Sequence, residues 1–144
     1  MKVNIEVSKK HNPPYAIIYT DVVNDEILQL VDSLSNSDTP IVTYKNERMH
    51  ILKPEEIYMI TIEEGKTVIY TLHEKYSSKK RLYEIIELLG SGFMQISKQT
   101  VINLSYLECV EAGFNGSLLL KLKNGKSDYI SRKYLPHLKK YLGL

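Results

Sequence analysis

Two Asn-Gly dipeptides, Asn115-Gly116 and Asn124-Gly125, most tightly constrain what this chain can fold into. They separate three runs that carry strand-type residues, 107–114, 118–123 and 127–131. A two-residue type I′ turn needs positive φ at both central positions, and Asn followed by Gly adopts that geometry at the lowest steric cost. Two such turns in succession predict a three-stranded antiparallel meander and commit the C-terminal part of the chain to sheet.

The middle of the chain reads the same way. Short apolar runs at 41–44, 49–52, 57–63 and 67–73 predict four strands, with Pro54 between the second and third and a tight turn over Glu63, Glu64, Gly65 and Lys66. Ser77 or Ser78 is placed to open a helix whose Leu82, Ile85, Ile86 and Leu89 share one face, closed by Gly90 and Gly92. Pro136 cannot donate to the carbonyl of Arg132, so a last short helix begins near Tyr134. Ahead of these, Val3, Ile5 and Val7 alternate with polar residues and 16–19 is a compact apolar run, predicting two strands. Asp21 then caps a helix carrying Val23, Ile27, Leu30, Val31 and Leu34, with Asp25, Glu26 and Asp32 on its other face. The polar break over 35–40 sets a boundary. The expected fold is mainly β, built of short antiparallel strands with two or three short helices, in a domain spanning 45–144, preceded by an α+β extension over 1–44.

Composition excludes several classes of function. No apolar run approaches the roughly 20 residues needed to cross a bilayer. Charges interrupt the apolar residues of the first ten positions, unlike a signal peptide. A single cysteine, Cys109, cannot form an internal disulfide and reads as a small core hydrophobe. A cytoplasmic protein without membrane insertion is expected. His11, His50, His73 and His137 show no metal-ligand spacing with each other or with Cys109, and there is no phosphate loop or nucleophile elbow. No catalytic residue, no metal and no cofactor is therefore predicted, and the chain is not expected to be an enzyme.

Charge is distributed unevenly. Residues 1–46 hold four lysines and six acids, a net −2, so the remainder carries +4 of the overall +2. From Lys121 onward seven cations face only Asp128. An excess of this kind suits a polyanion, although solvated lysines would give the same count.

Where cations and amides fall is more informative. Over 93–104 the residues Phe93, Met94 and Ile96 are apolar, Ser97 to Thr100 are wholly polar, and Val101 and Ile102 return to the core. A short polar loop pinned at both ends presents Ser97, Lys98 and Gln99 on a fixed backbone. Two other tight connections share the design: Lys66 on its turn, and Arg132 with Lys133 between the last strand and the last helix. Lys and Arg can bond guanine O6 and N7 or hold phosphate, and Gln can pair with adenine. No helix-turn-helix pattern is present, so DNA would be read by loops. Lys79, Lys80 and Arg81 fall in the first turn of the predicted second helix, where the dipole disfavours them; a solvated basic turn offset by Glu84 and Glu87 accounts for them.

An ordered set of segments resembles the LytTR-type DNA-binding domain family. It comprises the strand Ile57-Tyr-Met-Ile-Thr-Ile62 after the acidic Pro54-Glu-Glu56, Phe93-x-x-Ile-x-Lys-x-x-Val-Ile-Asn103, Asn124-Gly125, and Ser131-Arg-x-Tyr-Leu135. The match covers roughly 45–144. The resemblance implies a bacterial transcriptional regulator, mainly β, that inserts loops into successive major grooves of double-stranded DNA. It puts Lys66, Lys98, Arg132 and Lys133 on DNA and makes Asn103 structural, its amide bonding local backbone. A homodimer on repeated half-sites is expected. Family members often carry Arg-x-His-Arg/Lys-Ser where this chain has Gln95-Ile-Ser-Lys-Gln99, so Gln95 replaces a usual cation and Ser97 the histidine. Those departures bear on base preference more than on fold. Residues 1–44 lie outside the match, as in a stand-alone class with a short extension. That extension can dimerise, bind an effector or cover one end of the β domain. The competing reading of the whole chain is a β-rich protein-interaction or small-ligand module with no nucleic-acid function.

Overall fold

The computed structural model describes residues 1–12, 14–35 and 40–144. Ten strands and three α-helices occur among them: α1 (Asp25–Ser35), β1 (Ile41–Lys45), β2 (Arg48–Leu52), β3 (Met59–Glu63), β4 (Lys66–Tyr70), β5 (Lys75–Ser78), α2 (Leu82–Leu88), β6 (Phe93–Gln95), β7 (Thr100–Asn103), β8 (Leu107–Ala112), β9 (Leu118–Leu122), β10 (Ser127–Ile130) and α3 (Leu135–Leu142).

The strands form two antiparallel sheets. Seven are ordered β2-β1-β5-β4-β3-β7-β6, and three are ordered β10-β9-β8. Alternation along β3, β4 and β7 gives the large sheet two apolar faces. Ile60, Ile69 and Val101 point to one face, where Leu82, Ile85 and Leu89 of the α2 region and Ile41, Leu52 and Ile57 close a core. Met59, Val68, Tyr70 and Ile102 point to the other and meet Leu120 and Leu122 of β9, Ile130 of β10 and Leu138 of α3. The central strands are thus covered on both sides, with α2 on one face and the small sheet plus α3 on the other.

The C-terminal meander forms as expected, with turns of different length. Both Asn115 (φ 57) and Gly116 (φ 77) are left-handed, but they lie inside a wider closure in which Gly113 N donates to the Ser117 carbonyl. Between β9 and β10 only Gly125 (φ 85) is left-handed: Leu122 N donates to Lys126 O and Gly125 N to Leu122 O, leaving a three-residue loop. The β3–β4 turn is the short type, with Glu64 at φ 51 and Gly65 at φ 76.

Several expectations are corrected. The segments 3–7 and 16–19 form no strand, so the described secondary structure of 1–44 is α1 and the first four residues of β1, which belongs to the large sheet. α1 starts at Asp25, and Asn24 rather than Asp21 caps it, its Oδ1 accepting from Ile27 N at 3.0 Å. Lys75–Ser78, where a helix was expected to open, is β5, paired with β4 and β1. α2 begins only at Leu82 with no side-chain cap, and Lys79 to Arg81 precede it. Cys109 is exposed on the edge strand β8 and is no core residue. The polar break at 35–40 falls mostly on 36–39, outside the described residues.

Asn103 is structural, as expected. It is 5% exposed; its Nδ2 donates to the Ile57 carbonyl at 2.9 Å and its Oδ1 accepts from Ser105 N at 3.0 Å. The first partner lies across the sheet rather than nearby in sequence. The amide thereby satisfies polar groups where β7 leaves the core.

A candidate nucleic-acid interface

Strand direction decides which loops share an end of the molecule. β3 and β7 are antiparallel with Thr61 opposite Thr100, so the β3–β4 turn and the β6–β7 loop emerge side by side. Ile62 N donates to the Gln99 carbonyl at 3.1 Å and ties them together. Ser131 N donates to the Ile96 carbonyl at 2.8 Å, bringing the β10–α3 junction to the same place. Two backbone bonds therefore join the three junctions singled out in the sequence.

A buried hydroxyl chain underlies them. Thr100 Oγ1 donates to Asp128 Oδ2 at 2.7 Å, which leaves Thr61 to donate to Thr100 across 2.9 Å. β3, β7 and β10 are thus fastened just below the loops. Ile96 is fully buried, and its N–H bonds the Thr100 carbonyl at 2.9 Å, so the loop from Ser97 to Gln99 is closed at its base. Val101 and Ile102 anchor the other end in the two opposite cores.

Lys66, Lys98, Gln99, Arg132 and Lys133 are all exposed at this end. Ser97 is half-buried, its Oγ accepting from Gln99 N at 3.2 Å, so it shapes the loop more than it projects from it. Lys133 lies 5.4 Å from the Tyr134 ring centroid, which keeps its ammonium near the α3 side.

A fourth element, expected to be a solvated basic turn, joins these three. β5 runs antiparallel to β4 with Ser78 opposite Thr67, so Lys79, Lys80 and Arg81 leave the sheet beside the Lys66 turn. All three are exposed, and Lys79 lies 4.6 Å from the Tyr44 ring centroid. The clue was the clash of three cations with a helix N-terminus; its resolution is a strand where a helix was expected. Seven cations now arc from the α2 side of the sheet to the α3 side. None of the seven forms an ion pair among the described residues.

Of the two acids at the β3–β4 turn, Glu64 is exposed on the turn itself, whereas Glu63 is turned away from the arc. Glu63 pairs with Lys66 in the β3–β4 register, but its carboxylate meets Lys75 Nζ at 2.8 Å and accepts from the Tyr70 hydroxyl, toward the far end of β4. The hydrogen bond from Lys75, then that from Tyr70, holds the Glu63 carboxyl below the usual glutamate range. Lys75 is raised, first by Glu63. A lowered acid stabilises the fold above its unfolded value, and that contribution is lost as pH falls through the folded value. Lys75→Met is therefore expected to raise the Glu63 pKa and to flatten the loss of thermal stability on acidification below the usual glutamate value. NMR titration of Glu63 with melting curves across pH checks both; an unmoved Glu63 would discount the pair.

Among the described residues no group of three or more His, Cys, Asp or Glu is placed to hold a metal, and no helix is long and apolar enough to cross a membrane. A mainly-β module with loops and cations gathered at one end is an arrangement suited to a polyanion. The family model for the LytTr DNA-binding domain matches residues 47–143, and the chain belongs to that family, a DNA-binding module and not an enzyme. A solved LytTr DNA-binding domain from Bacillus cereus superposes with a TM-score of 0.68 at 16% identity, over 75% of this chain and all of that one, showing the shared fold. Two uncharacterised HTH-type transcriptional regulators of Staphylococcus aureus, from strains MSSA476 and MW2, are 27% identical over 146 residues, 100% of this chain and 99% of each relative. The helix-turn-helix wording belongs to those relatives: here five strands separate α2 from α3.

Proposed function

We propose that the chain is a transcriptional regulator of the cytoplasm that binds specific sites on double-stranded DNA, inserting the β6–β7 loop and the β10–α3 junction into the major groove as a dimer on repeated half-sites. The convergence of three sequence-distant cationic junctions through two backbone hydrogen bonds carries this reading. Lys98, Gln99 and Arg132 read base edges; Lys66, Lys79 to Arg81 and Lys133 take phosphates on either side. Ser97 sets the loop. The division of labour runs along the chain, with DNA contact in 45–144 and assembly in 1–44. The full-length relatives named as transcriptional regulators support the regulatory role.

The test is selection of bound sequences from random duplex DNA, followed by affinity against salt. Each neutralised phosphate contributes a slope of about −0.9 in log affinity against log salt, so four to six engaged cations give about −4 to −5. Enrichment of a repeated motif is the expected outcome. A salt-independent affinity, or no enriched sequence, would return the chain to a β-rich interaction module.

A further inference from the structure

The loop that carries Lys98 and Gln99 and the junction that carries Arg132 hang from different sheets. β7 lies in the seven-stranded sheet and β10 in the three-stranded one, so no ladder fixes one against the other. Two hydrogen bonds link the sheets at this end. Ser131 N donates to the Ile96 carbonyl at 2.8 Å, and Thr100 Oγ1 donates to Asp128 Oδ2 at 2.7 Å. Ile96 and Thr100 are the two ends of the loop, closed on each other by the bond from Ile96 N to the Thr100 carbonyl. The loop is thus held to β10 and its end at two points, and the second removes the pivot that the first alone would leave.

Charge makes Asp128 conspicuous. From Lys121 onward it is the single acid among seven cations, and it sits half-buried beneath the cationic loops. Its negative charge opposes phosphate, so it weakens plain electrostatic attraction to a polyanion. What it supplies instead is a fixed acceptor. A carboxylate only accepts, so Thr100 donates to it and in turn accepts from Thr61, which sets the direction of the whole hydroxyl chain. Its other oxygen accepts from Tyr129 N at 2.8 Å, which fixes the orientation of the carboxylate. Thr100 and Thr61 are 1% and 9% exposed, so the bond is made out of water, where a charged acceptor holds more strongly than a neutral one.

We infer that Asp128 is a positioning residue for base reading: through Thr100 it sets the angle of the Ser97–Gln99 loop relative to Arg132, and so governs discrimination between DNA sequences more than strength of attachment. The inference rests on the reading of these loops as the DNA contact. Contacts to base edges need their groups held within about 0.5 Å and 10–20°. An ammonium acts on a phosphate as a point charge and tolerates larger shifts. A loop free to turn about the Ile96–Ser131 bond would keep the second kind of contact and lose the first.

Equilibrium affinities of the full chain for the selected duplex and for a scrambled duplex of equal length test this. Asp128→Asn keeps the shape but replaces one acceptor oxygen by an N–H. The ratio of the two affinities is expected to fall about fivefold or more, the discrimination of one bidentate base contact, while affinity for the scrambled duplex stays the same or rises. Loss of folded protein would lower both affinities alike and leave the ratio unmoved, so the ratio separates positioning from stability. Thr100→Val is expected to lower the ratio as Asp128→Asn does, and Thr100→Ser, which keeps the hydroxyl, to retain it. The double variant Asp128→Asn with Thr100→Val is expected to lose no more than the larger single loss, because both changes remove the same bond. A wild-type ratio in folded Asp128→Asn or folded Thr100→Val, or losses that add in the double variant, overturns the inference. A wild type that does not discriminate between the duplexes overturns the reading of the interface, and the inference with it, before any variant is compared.

Discussion

Arg132→Ala and Lys98→Ala are each expected to lower affinity for the selected DNA site by about 1–3 kcal/mol, roughly 5- to 150-fold, and to relax base preference where they reach a base edge. The effect should be this large because both side chains stand on backbone that cannot shift to compensate. Lys98 rides a loop closed at its base by the Ile96–Thr100 bond, and Arg132 follows the residue whose N–H bonds the Ile96 carbonyl. Neither is paired with an acid among the described residues, so folding stability should change little on truncation. Lys80→Ala serves as the contrast: a phosphate contact weakens all sequences alike and reduces the salt slope by about 1. Equilibrium binding to matched and mismatched duplexes at two salt concentrations separates these outcomes. Unchanged affinity in both Arg132→Ala and Lys98→Ala would remove this end of the molecule from the DNA interface.

What could be read in the sequence follows from whether its signal was local. The Asn-Gly turns and Gly65 fix hairpins by local φ preference, so β3–β4 and the β8–β10 meander were legible, although Asn-Gly did not fix loop length. The pinned loop at Ser97 to Gln99 was legible because Ile96, Val101 and Ile102 are unambiguous core residues, each no more than 2% exposed. β5 was not legible. Lys-Tyr-Ser-Ser has one apolar ring and becomes a strand through its ladder with β4, a non-local cause. Missing it moved Lys79 to Arg81 from the arc of cations onto a helix. The opposite error occurred at Val3, Ile5 and Val7, where a real alternation has no partner strand among the described residues. Cys109 misled because composition says nothing of sheet edges: β8 borders β9 on one side and leaves its other edge open.

Ile96→Ala is expected to have the largest effect on stability among the residues that form the site, about 2–5 kcal/mol, and to impair DNA binding without touching DNA. Its side chain is fully buried in the core shared by the large sheet, β9, β10 and α3, so truncation leaves a cavity where those layers meet. Its backbone also ties the Ser97–Gln99 loop to the β10–α3 junction, accepting from Ser131 and donating to Thr100. Relaxation into the cavity would shift two of the cationic elements relative to each other. The loss of affinity should then exceed what the unfolded fraction explains. Ile96→Val, which keeps most of the volume, is expected to cost only about 0.5–1.5 kcal/mol and to restore binding almost fully. Chemical denaturation and DNA titration of both variants at a temperature where each is folded discriminate the cases. Wild-type affinity in folded Ile96→Ala would mean that the loop keeps its position without its clamp, and that Ile96 serves stability alone.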